Sequence, residues 1–440
     1  MNFSVMAQRF RDGAATPRQH LEERLALIEA TEPSVRAFVT LNIDGARSAA
    51  DESGRRYKAG KPLSPIDGMS VGIKDLYETF DMPTQMGSPL FAGKGGMRDN
   101  PSVRALRAGG AIILGKTVTT EFGFFNPGAT RNPRDLERTP GGSSSGSAAA
   151  VAAGFVPATV AGQVVGSLIR PSSYCGIFGL KPTLGAVNRG GATLSQSCTG
   201  VMADTLHDLW ASLYQMGRAG GDAGYPGLYG GADIGGMRRP DRMMFIETKG
   251  WRNVRPAVQQ QFRDFVAAVQ SLGPTCMTRS DDYRIEELER RLEHAFAITD
   301  TVCAFEQQWP LEHYRERFPD KISPNLTQML ERWKNVSLAQ YRDALEARDA
   351  LRAAHRATDG VGDFMITLSA PDIAPKGLDS TGDPVFAVTS SVLGAPALSM
   401  PLLEIDGMPL GVQIIGPMHS DARIVQYGLW FWHQFKTGRP

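Results

Sequence analysis

A run of small hydroxyl residues, a second serine and an upstream lysine are the residue types of a nucleophilic site. Residues 141–147 consist only of Gly and Ser, and Ser167 follows downstream. Lys74 comes earlier in the chain, directly after the apolar residues 71–73. A serine hydroxyl becomes a good nucleophile only when a neighbouring group takes its proton. These residues can be assembled into a nucleophilic site that uses no histidine.

Lys74 can serve as the base only if burial or a nearby positive charge holds its pKa well below about 10.4. Its apolar neighbours favour such burial. If Lys74 does not reach Ser167 directly, Ser143 can bridge the two, because a hydroxyl donates and accepts a proton at once. The alternative is a surface lysine that pairs with Asp75, since most lysines are exposed. The residues alone leave both interpretations open.

The turn before Ser167 offers backbone donors for an oxyanion. Val164, Val165, Gly166 and Ser167 present consecutive N–H groups, and such donors typically stabilise a tetrahedral intermediate by about 3 kcal/mol each. A tight strand-to-helix turn with a capping serine is the alternative. The residues predicted to support the site lie in its two loops: Gly141, Gly142, Ser144 and Gln163.

The same serine-rich loop also satisfies the pattern G-x-S-x-G, with Ser144 at its centre. In an α/β-hydrolase this pattern forms a nucleophile elbow, which needs a hydrophobic strand before the turn. Residues 136–140 precede the loop and end in Pro140, which cannot donate to a strand ladder. His419 or His433 would have to be the base, and nothing near either residue favours that role. The sequence therefore disfavours an elbow.

Metal and cofactor chemistry has little support in the sequence. The seven histidines are scattered, without an H-E-x-x-H pattern. Residues 141–147 have no Gly-Lys-Ser/Thr after them, and the dinucleotide pattern G-x-G-x-x-G is missing there. We therefore expect neither a metal nor a cofactor.

Composition narrows the classes of partner. The 47 basic and 46 acidic side chains nearly cancel, whereas a nucleic-acid or anionic-membrane partner would favour a basic excess. The four cysteines are irregularly spaced, which is typical of reduced thiols. No apolar signal core begins the chain, and no stretch reaches the roughly 18 apolar residues of a membrane span. We expect a cytoplasmic protein with a small-molecule substrate, and a homo-oligomer stays open.

Apolar runs bounded by glycine or proline predict buried strands at residues 111–114, 176–180, 364–368, 397–400 and 411–415. Helical spacing predicts helices at residues 18–29, 254–272, 285–305, 326–336 and 338–354. Residues 102–107 and 147–153 lie between predicted strands and are candidates for intervening helices. The apolar runs return after residue 360. The chain 1–440 is therefore predicted to be one α/β domain with a helical insertion at about residues 250–357.

The order of these motifs resembles the amidase signature hydrolases. The blocks that carry the resemblance span nearly the whole chain: the Gly-Ser-rich residues 141–147 followed by Ser167, and residues 65–75, 115–117, 121–122, 179–183, 394–401 and 409–416. The resemblance implies a mixed central β-sheet sandwiched by helices. It also implies that Ser167 is the nucleophile, Lys74 the general base, and Ser143 a bridging serine that follows a cis peptide bond. No metal or cofactor would take part.

Three positions depart from the pattern of this family. Val165 stands where a second glycine usually precedes the nucleophile, and a β-branched side chain restricts the backbone beside the oxyanion hole. Val164 follows Gln163 where the family usually has threonine. Residues 197–200 are about two residues shorter than the usual stretch. The three residues of the triad are all present.

The resemblance implies an amidase for small amides, with anilides, aryl esters and carbamates (urethanes) as related substrates. A second function is the glutaminase-type A subunit of a tRNA-dependent amidotransferase, which shares the triad and needs partner subunits. A third is an inactive member that acts as a binding or scaffold protein, for which Val165 is the main argument. The segment 285–357 and the loop at residues 383–386 are expected to wall the acyl pocket.

Overall fold

A mixed sheet crosses the part of the chain that the computed structural model describes, residues 2–124, 126–191, 194–218 and 228–436. Its strands are β1 (Phe38–Leu41), β2 (Ser70–Lys74), β3 (Ile112–Thr117), β4 (Ala158–Gln163), β5 (Phe178–Lys181), β6 (Cys198–Ala203), β7 (Arg242–Phe245), β8 (Thr275–Met277), β9 (Phe364–Leu368), β10 (Ala397–Ile405) and β11 (Met408–Ile415). They are ordered β1-β3-β2-β4-β6-β5-β10-β11-β9-β7-β8.

The helices of the described residues lie between and after these strands. They are α1 (Phe3–Arg11), α2 (Pro17–Val35), α3 (Ile43–Lys58), α4 (Pro101–Ala108), α5 (Ser145–Ala152), α6 (Ile169–Cys175), α7 (Leu206–Gly217), α8 (Pro256–Ser271), α9 (Tyr283–Leu292), α10 (Ala295–Arg317), α11 (Pro324–Trp333), α12 (Leu338–Ala357), α13 (Val388–Leu393) and α14 (Asp421–Lys436). None of these described helices is both long and apolar enough to cross a membrane.

The strands bury side chains on both faces of the sheet. In β9, Phe364 and Ile366 join one hydrophobic cluster, which α1, α4, α7, α8 and α14 complete. Met365, between them, joins a second cluster that is completed mainly by α2, α3, α5, α9, α12 and α13. Successive side chains of a strand point to opposite faces, so a strand between two helical layers is apolar throughout. The expected α/β fold, a mixed sheet between helices, is confirmed.

Two neighbouring strands inside the sheet lead to the predicted site. β2 and β4 are parallel neighbours, with Gly72 opposite Thr159 and Ile73 opposite Val160. The carboxyl ends of parallel strands meet at one edge of the sheet, where ligands commonly bind in α/β proteins. Lys74 ends β2 and Gln163 ends β4, so the sheet brings the two predicted loops together.

The segment 250–357, predicted as a helical insertion, contains a short strand as well as helices. Its first helix, α8, is followed by the short strand β8, which extends the sheet in parallel with β7. The predicted helix at 285–305 is divided, since α9 ends at Leu292 and α10 begins at Ala295. α10 and α11 bury a third hydrophobic cluster that includes Leu326 and Trp333. This third cluster lies against the loops of the predicted site.

Candidate active site

Lys74 is buried at the end of β2, beside the serine-rich loop. Its Nζ lies 2.6 Å from Ser143 Oγ, and the residue is only 1% exposed. Burial, which disfavours the charged form, lowers the pKa of the Lys74 ammonium to about 7. Asp75 instead forms a buried ion pair with Lys116, with Nζ and Oδ1 3.0 Å apart. The alternative of a surface lysine paired with Asp75 is therefore wrong.

The loop that holds Ser143 depends on two glycines. The Gly142–Ser143 peptide bond is cis, as the resemblance implies. Gly141 has a φ of 82°, and a Cβ at this position would lie 3.0 Å from the Cα of Pro171. A Cβ at Gly142 would lie 2.7 Å from Cγ2 of Thr381. A larger side chain at either position would force its neighbours to move, so both glycines let the loop lie close to Pro171 of α6 and to Thr381.

Ser144 has a structural position rather than that of a nucleophile. It precedes the first residue of α5, is fully buried, and its Oγ donates to the carbonyl oxygen of Gly162 at 3.3 Å. His433 lines a different cavity, and the ring of His419 packs edge-on against Tyr229. The arrangement of an α/β-hydrolase elbow is therefore not formed.

Gln163 holds the turn between β4 and α6 in place. Its Oε1 accepts hydrogen bonds from the backbone N–H groups of Leu168 and Ile169, both at 3.0 Å. Its Nε2 donates to Ser391 Oγ at 2.9 Å. The side chain thus satisfies two orphan donors at the start of α6 and ties the turn to α13. This bridging role is more specific than the general support that the sequence predicts for Gln163.

The turn itself carries the four predicted oxyanion donors. Among the described residues, no protein group accepts a hydrogen bond from the backbone N–H groups of Val164, Val165, Gly166 and Ser167. The carbonyl oxygen of Val164 accepts from Gln196 Nε2 at 3.0 Å. That of Val165 accepts from Ser391 Oγ at 2.9 Å. These contacts fix the peptide planes through their oxygens and leave the N–H groups available.

Val165 fits this turn without left-handed backbone. Its φ is not positive, and its side chain packs against the second hydrophobic cluster. Gly166 is the residue that cannot be replaced without movement, because a Cβ there would lie 2.9 Å from Pro384 Cβ and 3.0 Å from Ala387 Cβ. The family's usual second glycine is therefore not needed for this turn geometry.

One cavity of about 240 Å³ brings the predicted residues together. Lys74, Ser143 and Ser167 all line it, together with the turn from Gln163 to Gly166. Ser167 is partly exposed, as a nucleophile must be to meet a substrate. The remaining described lining residues are Leu76, Tyr77, Phe122, Gly123, Phe124, Gly162, Arg170, Gly191, Leu194, Ser197, Gln307, Thr381 and Pro384.

The sequence does not predict two groups of residues that line the cavity. Arg170 is fully buried, and its Nη2 donates to the carbonyl oxygen of Gly142 at 2.7 Å and to Thr381 Oγ1 at 3.0 Å. An arginine within the apolar segment after Ser167 was the available signal. Phe122 and Phe124 form an aromatic side of the cavity, and nothing in their local sequence distinguishes them from core residues. Of the segment 285–357, Gln307 reaches the cavity, and Pro384 does so from the loop 383–386.

The described residues form no group of three or more His, Cys, Asp or Glu side chains that could hold a metal ion. The residues predicted for catalysis contribute two serine hydroxyls, an amine with a lowered pKa, and backbone donors to the cavity. These groups can transfer a proton from a serine, form a covalent bond to a carbonyl carbon and stabilise the oxyanion that results.

The chain is similar to known proteins over nearly its whole length. The chain is 31% identical over 460 aligned positions to a glutamyl-tRNA(Gln) amidotransferase subunit from Chloroflexus aggregans, and the match covers 94% of this chain and 92% of the relative. It is 29% identical to the corresponding subunit from Rhodopirellula baltica, covering 99% and 97%.

Solved structures share the whole fold. One, described as part of an unexpected vestigial protein complex that reveals the origins of an s-triazine catabolic enzyme, has a TM-score of 0.86 at 25% identity and covers 100% of this chain and 99% of its own. A 6-aminohexanoate cyclic dimer hydrolase with bound substrate has a TM-score of 0.85 at 23% identity, covering 99% and 97%. The Amidase family profile matches residues 19–425. The chain belongs to the amidase signature family.

Proposed function

We propose that this protein hydrolyses the C–N bond of small amides through an acyl-enzyme on Ser167. The observation that carries the proposal is the contact between Lys74 Nζ and Ser143 Oγ, at 2.6 Å, in a cavity that Ser167 also lines. With a pKa of about 7, Lys74 can be neutral near neutral pH. It can therefore accept a proton there, which an exposed lysine rarely does.

The mechanism follows from the order of these groups. Neutral Lys74 takes the proton of Ser143, which takes that of Ser167, and Ser167 Oγ attacks the amide carbonyl carbon. The negative charge on the carbonyl oxygen is stabilised by N–H groups of the turn 164–167. The C–N bond then breaks, and the amine leaves with a proton returned from Lys74 through Ser143. Water, deprotonated by the same relay, hydrolyses the ester on Ser167 and restores the site.

A glutaminase function is the second candidate, because the curated relatives are subunits of an amidotransferase. Free glutamine carries an ammonium and a carboxylate group. A buried ammonium requires an acidic partner. Among the described residues that line the cavity, none is Asp or Glu. This composition favours an amide without an ammonium group over glutamine.

An inactive scaffold protein is the third candidate, and Val165 is its main support. Val165 does not adopt a left-handed backbone. Within the described residues, the N–H groups of the turn 164–167 donate to no protein acceptor. Val165 therefore gives no physical reason to regard the site as inactive.

We also propose a cytoplasmic location, because all four cysteines are free thiols, as is typical of reducing compartments.

The proposal is tested with the purified chain alone. A fluorophosphonate probe should label Ser167, as mapped by peptide mass spectrometry, and the label should be lost in Ser167→Ala. Ser144→Ala is the matched control in the neighbouring loop and should keep the label. The enzyme should release p-nitroaniline from p-nitroacetanilide and leave glutamine intact. Glutaminase activity that arises only with added partner subunits would refute the amidase proposal, and a label on Ser144 would restore the elbow interpretation.

A further inference from the structure

The cavity beside Ser167 has an aromatic and aliphatic side. Phe122 and Phe124 line it from the loop after β3, and Leu76, Val164 and Leu194 continue the apolar surface. Phe122, Phe124, Val164 and Leu194 also pack against the third hydrophobic cluster. A substrate group placed against this side exchanges water for carbon atoms, so apolar groups are favoured there.

The two phenylalanine rings are held in position from behind. Phe122 stacks on Tyr314 of α10, with ring centres 5.7 Å apart and planes 20° apart. Phe124 meets Trp333 of α11 edge to face at 5.3 Å, and Trp333 Nε1 donates to Asp300 at 3.2 Å. Rings that are already fixed lose little conformational freedom when a substrate binds, which favours preorganised recognition.

The backbone at Phe122 is unusual for so large a residue. Its φ is 49°, in the left-handed region, which glycine adopts far more readily than a bulky residue. The N–H of Phe122 donates to the carbonyl oxygen of Met86 at 2.8 Å. Met86 has a φ of 55° and is left-handed as well. Such conformations cluster at ligand sites, where the surrounding structure maintains them. This conformation presents the Phe122 ring to the cavity.

The charges in the cavity add a second selection. Within the described lining, Lys74 and Arg170 are the basic side chains, both are buried, and no side chain is acidic. Lys74 is hydrogen-bonded to Ser143, and Arg170 donates hydrogen bonds to the Gly142 carbonyl oxygen and to Thr381. A substrate ammonium would lose its water here without gaining an acidic partner, which is strongly unfavourable.

We infer that Phe122 and Phe124 determine the specificity of this site. They select amides that carry an aryl or aliphatic group and no ammonium group. The inference rests on the proposed amide hydrolysis at Ser167. It adds the class of substrate and the residues that recognise it.

A pair of nearly isosteric substrates tests the charge selection. Heptanoyl-p-nitroanilide and 6-aminohexanoyl-p-nitroanilide differ by a terminal methyl in place of an ammonium group, and both release p-nitroaniline. The wild-type kcat/KM should be at least a hundredfold higher for the heptanoyl compound. If both compounds are cleaved in a Ser167-dependent manner with similar kcat/KM, the inference is overturned while the proposed function stands. If neither is cleaved and Ser167 takes no covalent label, the proposed function itself fails.

Single substitutions then test the aromatic side. Phe124→Ala and Phe122→Ala should each lower kcat/KM for the heptanoyl compound about tenfold, largely through KM. Phe91→Ala is the matched control, because Phe91 packs edge-on against Phe122 and Tyr314 but is not among the residues that line the cavity. It should change kcat/KM less than threefold.

A second readout separates recognition from folding. Methanesulfonyl fluoride is too small to need the aromatic side, so its rate of reaction with Ser167 should stay within threefold of wild type in Phe122→Ala and Phe124→Ala. A parallel loss of sulfonylation and of anilide turnover would mean that the rings merely support the fold. That result would overturn their assignment as specificity residues.

Discussion

Replacing Lys74 by methionine tests whether the buried amine is neutral in the folded protein. Methionine has a similar length and no charge, so it suits the apolar surroundings of a side chain that is 1% exposed. The pKa of Lys74 falls from an ordinary value of 10.5 to about 7 through burial. At about 1.4 kcal/mol per pKa unit, the difference corresponds to roughly 5 kcal/mol between the two protonation states.

The sign of the effect follows from where the proton is bound. Above about pH 10.5 the lysine is neutral in both the folded and the unfolded protein. Between about pH 10.5 and pH 7 the unfolded chain binds a proton that the folded protein does not. The free energy of unfolding therefore falls by up to about 1.4 kcal/mol for each pH unit of acidification in this window. Below about pH 7 both states are protonated, and this group contributes no further pH dependence.

Lys74→Met removes this dependence and the hydrogen bond to Ser143. The lost hydrogen bond costs about 1–3 kcal/mol, so the variant should be less stable than wild type near pH 10. At pH 7 it should be more stable by about 2–4 kcal/mol, since the desolvation penalty of about 5 kcal/mol is gone. Amide hydrolysis should be abolished throughout.

The assay is urea denaturation followed by circular dichroism at pH 7, 8, 9 and 10. Lys61→Met is the matched control, because Lys61 is exposed and its replacement should leave the slope against pH unchanged. In wild type, kcat/KM should rise with pH up to about 7 and level off above it. Parallel pH dependences of stability for wild type and Lys74→Met would refute a neutral Lys74 and, with it, the assignment of the base.

Three further substitutions address the loops of the site. Ser143→Ala should lower kcat/KM by about 10²–10⁴, and a variant that keeps more than a tenth of the activity would contradict a proton relay through Ser143. Gln163→Leu leaves two backbone N–H groups of α6 without acceptors and should lower the free energy of unfolding by about 3 kcal/mol. Gln196→Leu, which loses one bond to the Val164 carbonyl, should lower it by about 1 kcal/mol, and equal losses in the two variants would argue against Gln163 as the main support. Gly166→Ala forces a Cβ to within 2.9 Å of Pro384 Cβ and should reduce kcat/KM at least a hundredfold by moving the turn. Gly95→Ala, where a Cβ meets nothing within 4 Å, should change activity less than twofold, and a comparable loss in both would mean that the close contacts at Gly166 are unimportant.

The sequence predicts the buried parts of the fold well. Residues 364–368 were expected as a strand and form β9 with the same bounds, because a strand covered on both faces is apolar at each position. The break between α9 and α10 lies at Glu293 and His294, where neither glycine nor proline marks a boundary. Pro310 lies inside α10, although proline usually ends a helix. Local signals therefore mislead where tertiary packing decides the helix bounds.

The short strand β8 shows a different limit. Its three residues follow Gly273 and Pro274 and pair with β7. Three residues are too few for a period of two to be recognised. The order of the strands is likewise invisible in a single sequence, because neighbours in the sheet such as β5 and β10 are separated by more than 200 residues.

The same limit applies to the site. Residue types and the family resemblance were enough to propose Lys74, Ser143 and Ser167, because each lies within a recognisable motif. The partner of Asp75 is Lys116 on a different strand, and no local pattern connects them. Phe122 depends on Tyr314, far along the chain, so the shape of the substrate cavity emerges only when the helical segment is folded against the loop.

The proposed catalysis and the inferred specificity at this site depend on one electrostatic condition. Lys74 can be neutral near pH 7 because burial disfavours its charge, and a carboxylate close to Nζ would raise its pKa again. The adjacent acidic residue in the sequence, Asp75, is paired with Lys116 and so is partly neutralised. A described lining without Asp or Glu keeps the pKa of Lys74 low and, by the same absence of negative charge, offers no partner to an ammonium group on a substrate. The inferred preference for uncharged, apolar amides thus has the same physical cause as the proposed role of Lys74 as the base.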